Sequence, residues 1–384
     1  MLFLKKTRTD SRYQSHIEGE YEFLDPSSRA EISKVRVFLN YWLSKMPEDE
    51  AQQLISRMKS RDRRSFESAS FEIALFAILS GLGCKVEIHP NLKNGSIKRP
   101  DFHATTPDGE EFYVEAVLAL EFDTSEMAAE KRKNVLLQAI EKVDSPNFFI
   151  GVDSEGSPNT PPPGKALRRV LSKWLSKLNP DDVIREYEAR GSDALPVLEW
   201  QYEDWKIEFQ AIPIKPEKRG QGQRVIGLHS EEGRLTNSWE PIRDAILFKG
   251  GRYGELSKPY VVAVNVDSYT LDRIDEIQAL FGQERFTFCH GSQEFRKHRA
   301  PNGAWIGPNG PRYTRVTGAW LFGNLNPYNM VSRMNNLYVN PHSAMPIPKA
   351  LMHLNHSIVS NERILWIDGR PLWDLLGLNP SWPE

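Results

Sequence analysis

Residues 99–117 read RPDFHATTPDGEEFYVEAV, and this stretch decides the fold. Pro107-Asp108-Gly109 is a turn sequence: proline fixes φ at one corner, and glycine is free to take a positive φ at the next. The flanking segments, 99–104 and 111–120, are therefore expected as two adjacent strands. Asp101 follows Pro100 at the start of the first, and Glu115 falls inside the second. Side chains alternate across a strand, so Val114 and Ala116 share one face, with Tyr113, Glu115 and Val117 on the other. A carboxylate among apolar neighbours is costly to bury without a cation or hydrogen-bond donors. Glu115 is thus a candidate functional residue.

Upstream, residues 65–82 carry Phe71, Ala74, Leu75, Ile78 and Leu79 at helical spacing, and Gly81 and Gly83 stop the helix. Glu72 sits in this apolar helix, next to Phe71 and one turn from Phe76, and raises the same question as Glu115. Helices are also expected over 27–45 and 48–58, separated by Pro47, and a strand over 85–89. Downstream, 125–143 returns to helical spacing and 147–152 reads as an apolar strand. From residue 65 the order is therefore α-β-β-β-α-β. Further on, the spacing predicts a helix over 165–178, a strand over 205–214, a loop at 217–222, a helix over 241–248, and a strand over 260–266 buried on both faces. The chain divides on this reading into a helical segment 1–64, a core 65–268 and an α+β segment 269–384, with a strand at 319–322.

Phe71-Glu72, Arg99-Pro100-Asp101-Phe102 and Val114-Glu115-Ala116, in this order, resemble the motifs of the PD-(D/E)XK nuclease superfamily over about residues 65–153. The resemblance implies an α/β fold with a restriction-endonuclease-like core, a helical N-terminal extension and an α+β C-terminal extension. It implies Asp101 and Glu115 as ligands of Mg²⁺ or Mn²⁺, and Glu72 as a helical acid assisting the site by holding a second metal or a bound water. The third motif normally has lysine two residues after its acid, where it orients water and stabilises negative charge. Here that position is Val117, which can do neither. Lys98, Lys131 and Lys249 are the candidates to replace it. Lys249 is favoured because Lys249-x-x-x-Tyr253 is similar to the Gln-x-x-x-Tyr motif of RecB-like members. The activity implied is Mg²⁺-dependent hydrolysis of DNA, in a setting such as restriction or antiviral defence. The alternatives are an RNA nuclease, or an inactive nuclease-like module that binds nucleic acid or a partner protein.

Bulk properties narrow the partners. The net charge of −2 over 384 residues excludes a polycation that holds nucleic acid through its overall field, so contacts must come from local basic segments such as Lys93 to Arg99, Lys131 to Lys133 and Lys215 to Arg224. Nucleic acid, DNA ahead of RNA, is the expected partner, and a second copy or a protein partner stays open. Membrane attachment is not expected, since no apolar run is long enough and MLFLKKTRTD is too short for a signal peptide, so a cytoplasmic location follows. Cys84 and Cys289 form no CxxC pair and are expected as packing residues. Gly220-Gln221-Gly222 lacks the context of a phosphate loop. His89, His103, His290 and His298 lack paired-ligand spacing, although His103, two residues past Asp101, could approach a metal. Trp305, Trp320, Trp366, Trp373 and Trp382 are expected in the core.

Overall fold

The computed structural model describes residues 1–92, 94, 96–120, 124–221, 224–231, 238–268, 271–288 and 295–384. Packing groups them into two units, 1–12 with 19–121 and 236–384, and 13–18 with 122–235.

The first unit is built on an eight-stranded mixed sheet. Lys85–Ile88, Phe102–Thr105 and Glu111–Leu120 form an antiparallel meander, with Phe102 opposite Val114 and His103 opposite Tyr113. The expected turn is present: Gly109 has φ +84°, a conformation that only glycine adopts without strain, and its N–H reaches the Thr106 carbonyl at 3.0 Å. Tyr260–Asp267 lies parallel to Glu111–Leu120 and, on its other side, parallel to Gly318–Gly323. The sheet continues through Asn335–Val339, His356–Ser360 and Arg363–Ile367. Residues after 269 therefore extend the same sheet, so the packing units cut across the sequence divisions at 65 and 269.

Two apolar layers cover this sheet. On one face Val114, Ala116, Val261 and Ala263 pack with Ile73, Ala77 and Ile78 of the Arg63–Gly81 helix and with Val35 and Leu39 of the Ala30–Leu43 helix. Asp62 caps the Arg63–Gly81 helix by accepting from the Ser65 N–H at 2.9 Å. On the other face Tyr113, Tyr260, Val262 and Val264 pack with Ile242 and Ile246 of the Trp239–Gly250 helix. The alternation read from 113–117 holds, and 260–266 is buried on both faces.

The second unit has a four-stranded sheet in the order Val197–Tyr202, Trp205–Pro213, Phe148–Glu155, Ile226–Glu231, packed by the Thr124–Ile140 and Gly164–Leu175 helices. This corrects the expected core. The helix over 125–143 and the strand over 147–152 exist, but they belong to this unit, with a core of their own around Leu136, Ile150 and Phe209. The neighbour of Glu111–Leu120 comes instead from beyond residue 259, because a fully apolar strand can be buried between two others whereas Phe148–Glu155 alternates buried and exposed positions at its end.

The large C-terminal aromatics are structural. Trp305 and Trp320 are fully buried, Trp366 packs on Tyr338, and Trp382 packs on Phe38; Trp373 stays partly exposed. Cys84 is buried, which pushes its thiol up to about 11 and leaves it inert. Cys289, His290 and Gly222 lie outside the described residues. Among the described residues no helix is long and apolar enough to cross a membrane.

Candidate functional site

Glu115 has a side chain only 1% exposed, in the middle of its strand, on the face covered by the Trp239–Gly250 helix. The last turn of that helix brings Lys249 to it, with Nζ 2.5 Å from Glu115 Oε1. Three and four residues on, Arg252 and Tyr253 fall on the same side of the chain. Tyr253 donates its hydroxyl to Glu115 Oε2 and lies 2.9 Å from the Arg99 carbonyl oxygen. Arg252 Nη1 stands 3.8 Å from Glu115 Oε1. Burial, and then the charge of Glu115, raise the Tyr253 hydroxyl well above an ordinary phenol, so it remains a donor.

Asp101 lies immediately before the Phe102–Thr105 strand, and the hairpin register sets it beside Glu115. Its Oδ2 accepts from the Ala116 N–H at 2.7 Å, while its own N–H reaches Glu115 Oε2 at 3.3 Å. Burial, followed by the charges of Glu115 and Glu72, raises the proton affinity of Asp101 well above that of an ordinary carboxylate; Lys249 and the Ala116 amide act against this. Among the described residues Asp101 Oδ1 accepts no hydrogen bond, and its nearest cationic candidate is His89 Nε2 at 3.8 Å.

Glu72 lies close enough to be felt at Asp101, but its oxygens are occupied. Arg57 holds both, Nη1 to Oε2 at 3.0 Å and Nη2 to Oε1 at 2.7 Å, and Ser68 Oγ adds a contact at 3.3 Å. The helical acid thus supplies charge to the site while its lone pairs point to a guanidinium. His89 Nδ1 is 2.9 Å from Glu50 Oε2, and the His89 backbone N–H donates to the Asp101 backbone carbonyl at 3.0 Å. His89 holds this place with φ +47°, an uncommon conformation for a side-chain-bearing residue. A small cavity of about 20 Å³ lies between Glu50, Arg57, Glu72, His89 and Phe102, room for a single water.

Of the residues singled out in sequence, Asp101, Glu115 and Lys249 meet directly, and Glu72 joins them through its field. His103 does not approach them: Nε2 is 2.8 Å from Glu111 Oε2 and Nδ1 is 3.5 Å from Glu87 Oε2, on the part of the hairpin nearer its turn. Lys98 is exposed, and Lys131 lies in the Thr124–Ile140 helix of the second unit. Arg57, Glu50 and Arg252 are not singled out in the sequence analysis above, and His89 is set aside there because it lacks paired-ligand spacing. The Lys249, Arg252, Tyr253 spacing could have flagged Arg252, whereas Arg57 and Glu50 are reached only through tertiary packing. Among the described residues no three His, Cys, Asp or Glu side chains converge closely enough to hold an ion by themselves.

The chain matches no protein family model, no curated protein and no solved structure.

Proposed function

We propose that the protein is a metal-dependent nuclease acting on DNA, with a divergent PD-(D/E)XK-type site made of Asp101, Glu115 and Lys249. The observation that carries this reading is the 2.5 Å contact between Lys249 and Glu115, beside Asp101. It supplies the amine that Val117 cannot, from a helix on the face to which Glu115 points. The order helix, three-stranded meander, helix, parallel strand also supports it, once Trp239–Gly250 and Tyr260–Asp267 are taken as the last two elements and 122–235 as an insertion.

The donor set suits a hard divalent ion. Mg²⁺ is commonly held by one or two carboxylates, with water and substrate phosphate completing its shell, and Asp101 offers an oxygen without a hydrogen bond beside a second acid. The proton affinity of Asp101 is raised by burial and then by the neighbouring charges of Glu115 and Glu72, and a cation would relieve the second of these. Asp101 and Glu115 would hold the ion, which would supply charge to the phosphoryl oxygens and activate a water. Lys249 Nζ, half-enclosed against Glu115, is placed to offset charge that develops on the phosphate. Tyr253 fixes the Glu115 carboxylate and ties it to the Arg99 carbonyl. Glu72 is held by Arg57, so in this scheme its contribution is electrostatic.

The test is cleavage of supercoiled, linear and single-stranded DNA with Mg²⁺ or Mn²⁺, by the protein and by Glu115→Ala. Loss of cutting with folding intact is expected; metal-dependent cutting by the variant rejects the assignment.

One observation favours a second reading, a nuclease-like module without activity that binds nucleic acid or a protein. Both Glu115 oxygens are already hydrogen-bonded within the protein. Mn²⁺ separates the two readings: a functional site gains stability as the ion saturates it, roughly 2.7 kcal/mol at a hundred times Kd, and the inactive module gains none.

A further inference from the structure

Beside the acidic site, Lys98, Phe248, Gly251 and Arg252 line an open cleft of about 460 Å³. Phe248 is 69% exposed, which is unusual for a phenylalanine in a protein with two extensive apolar layers. Gly251 and Arg252, just past the end of the same helix, line the cleft with it, and Arg252 also borders the Glu115 carboxylate that Lys249 and Tyr253 hold. Arg252 Nε is buried and has no hydrogen-bond partner among the described residues. Lys98 Nζ makes no ion pair among the described residues, and the loop that carries it is anchored by Asn94, whose Nδ2 donates to the carbonyls of Tyr253 and Glu255 at 3.1 Å each.

We infer that this cleft binds an unpaired stretch of DNA, with a phosphate between Lys98 and Arg252 and the adjoining base stacked on Phe248. The inference rests on the nuclease reading and narrows its substrate to single-stranded or locally opened DNA. Two cations side by side match a phosphate, whereas an exposed aromatic ring beside them matches a base face. A fully paired duplex buries its base faces inside the stack and has nothing to offer Phe248. Arg252 also reaches Glu115 at 3.8 Å, so a phosphate held there adjoins the acids.

The test uses fluorescence anisotropy of the full chain with labelled oligothymidine and with a blunt hairpin duplex closed by a polyethylene glycol linker that carries no base, in EDTA so that nothing is cut. Oligothymidine should bind more tightly than the hairpin. Phe248→Ala should weaken oligothymidine binding by roughly tenfold to a hundredfold, the range for loss of one stacked base, and leave hairpin binding unchanged. Phe248→Trp should retain affinity and show quenching of the new indole on adding oligothymidine. Arg252→Gln should weaken both ligands and flatten the salt dependence. Equal loss of both ligands in Phe248→Ala, or no quenching in Phe248→Trp, overturns the stacking assignment and leaves the nuclease reading intact. Absence of binding to either ligand, together with no Mn²⁺ stabilisation, overturns both.

Discussion

Lys249→Met leaves a carboxylate that is 1% exposed without its closest cation. Breaking a buried pair by removing one partner costs about 3–5 kcal/mol, because the remaining charge stays desolvated. Here Tyr253 still donates to Oε2 and Arg252 stands 3.8 Å from Oε1, so the loss should fall near the lower end, about 3 kcal/mol. For a unit of this size each kcal/mol moves the midpoint by about 2–4 °C, which gives a fall of about 6–12 °C. The assay is urea and thermal unfolding followed by tryptophan fluorescence, without metal. Glu115→Gln removes the charge instead of its partner, and the double variant should be no less stable than Lys249→Met alone. The cycle should then return a coupling on the order of 1–3 kcal/mol. Mn²⁺ should recover part of the Lys249→Met loss, since an uncompensated carboxylate gains more from a cation. Stability within about 0.5 kcal/mol of the parent, or losses that simply add, would refute the buried-pair reasoning.

Two other outcomes follow from the buried acids. Asp101→Asn keeps an acceptor for the Ala116 N–H but removes one of the crowded charges, so the metal-free protein should gain on the order of 1–2 kcal/mol while Mn²⁺ stabilisation disappears; a destabilised variant with intact Mn²⁺ response would count against the site. Glu276, away from the site, is buried, and its carboxyl is pushed up to about 7 from 4.5, although Tyr338 donates to it at 2.6 Å. The folded state therefore keeps a proton that the unfolded state has lost between pH 4.5 and about 7, and stability falls as pH rises through that window. Glu276→Gln should match the parent at pH 4 and exceed it at pH 8 by on the order of 1–3 kcal/mol, as read by urea midpoints; a constant difference across pH would exclude this cause.

Local features were legible in the sequence because they depend on neighbours along the chain. The turn at Pro107-Asp108-Gly109, the alternation over 113–117 and the helix over Arg63–Gly81 all belong to this class. Pairing over long distances was less so. The second unit carries a helix and a strand that satisfy the same pattern as the elements which complete the eight-stranded sheet, so periodicity alone could not choose between them. The site divides in the same way. Lys249 was reachable because it shares a motif with Tyr253, whereas the grip of Arg57 on Glu72 and the contact of Glu50 with His89 link separate elements and leave no spacing to read.

The separation of 134 positions between Glu115 and Lys249 also sets an order of events during synthesis. A ribosome that has released the Glu111–Leu120 strand must still make residues 122–235 of the second unit and most of the Trp239–Gly250 helix before the lysine exists. Until then the nascent strand lacks its partners in Tyr260–Asp267 as well, and a long loop must close before those contacts form. The two acids and the amine can therefore first meet only after residue 249 has left the ribosome, and Glu115 waits until then for the cation that offsets its charge.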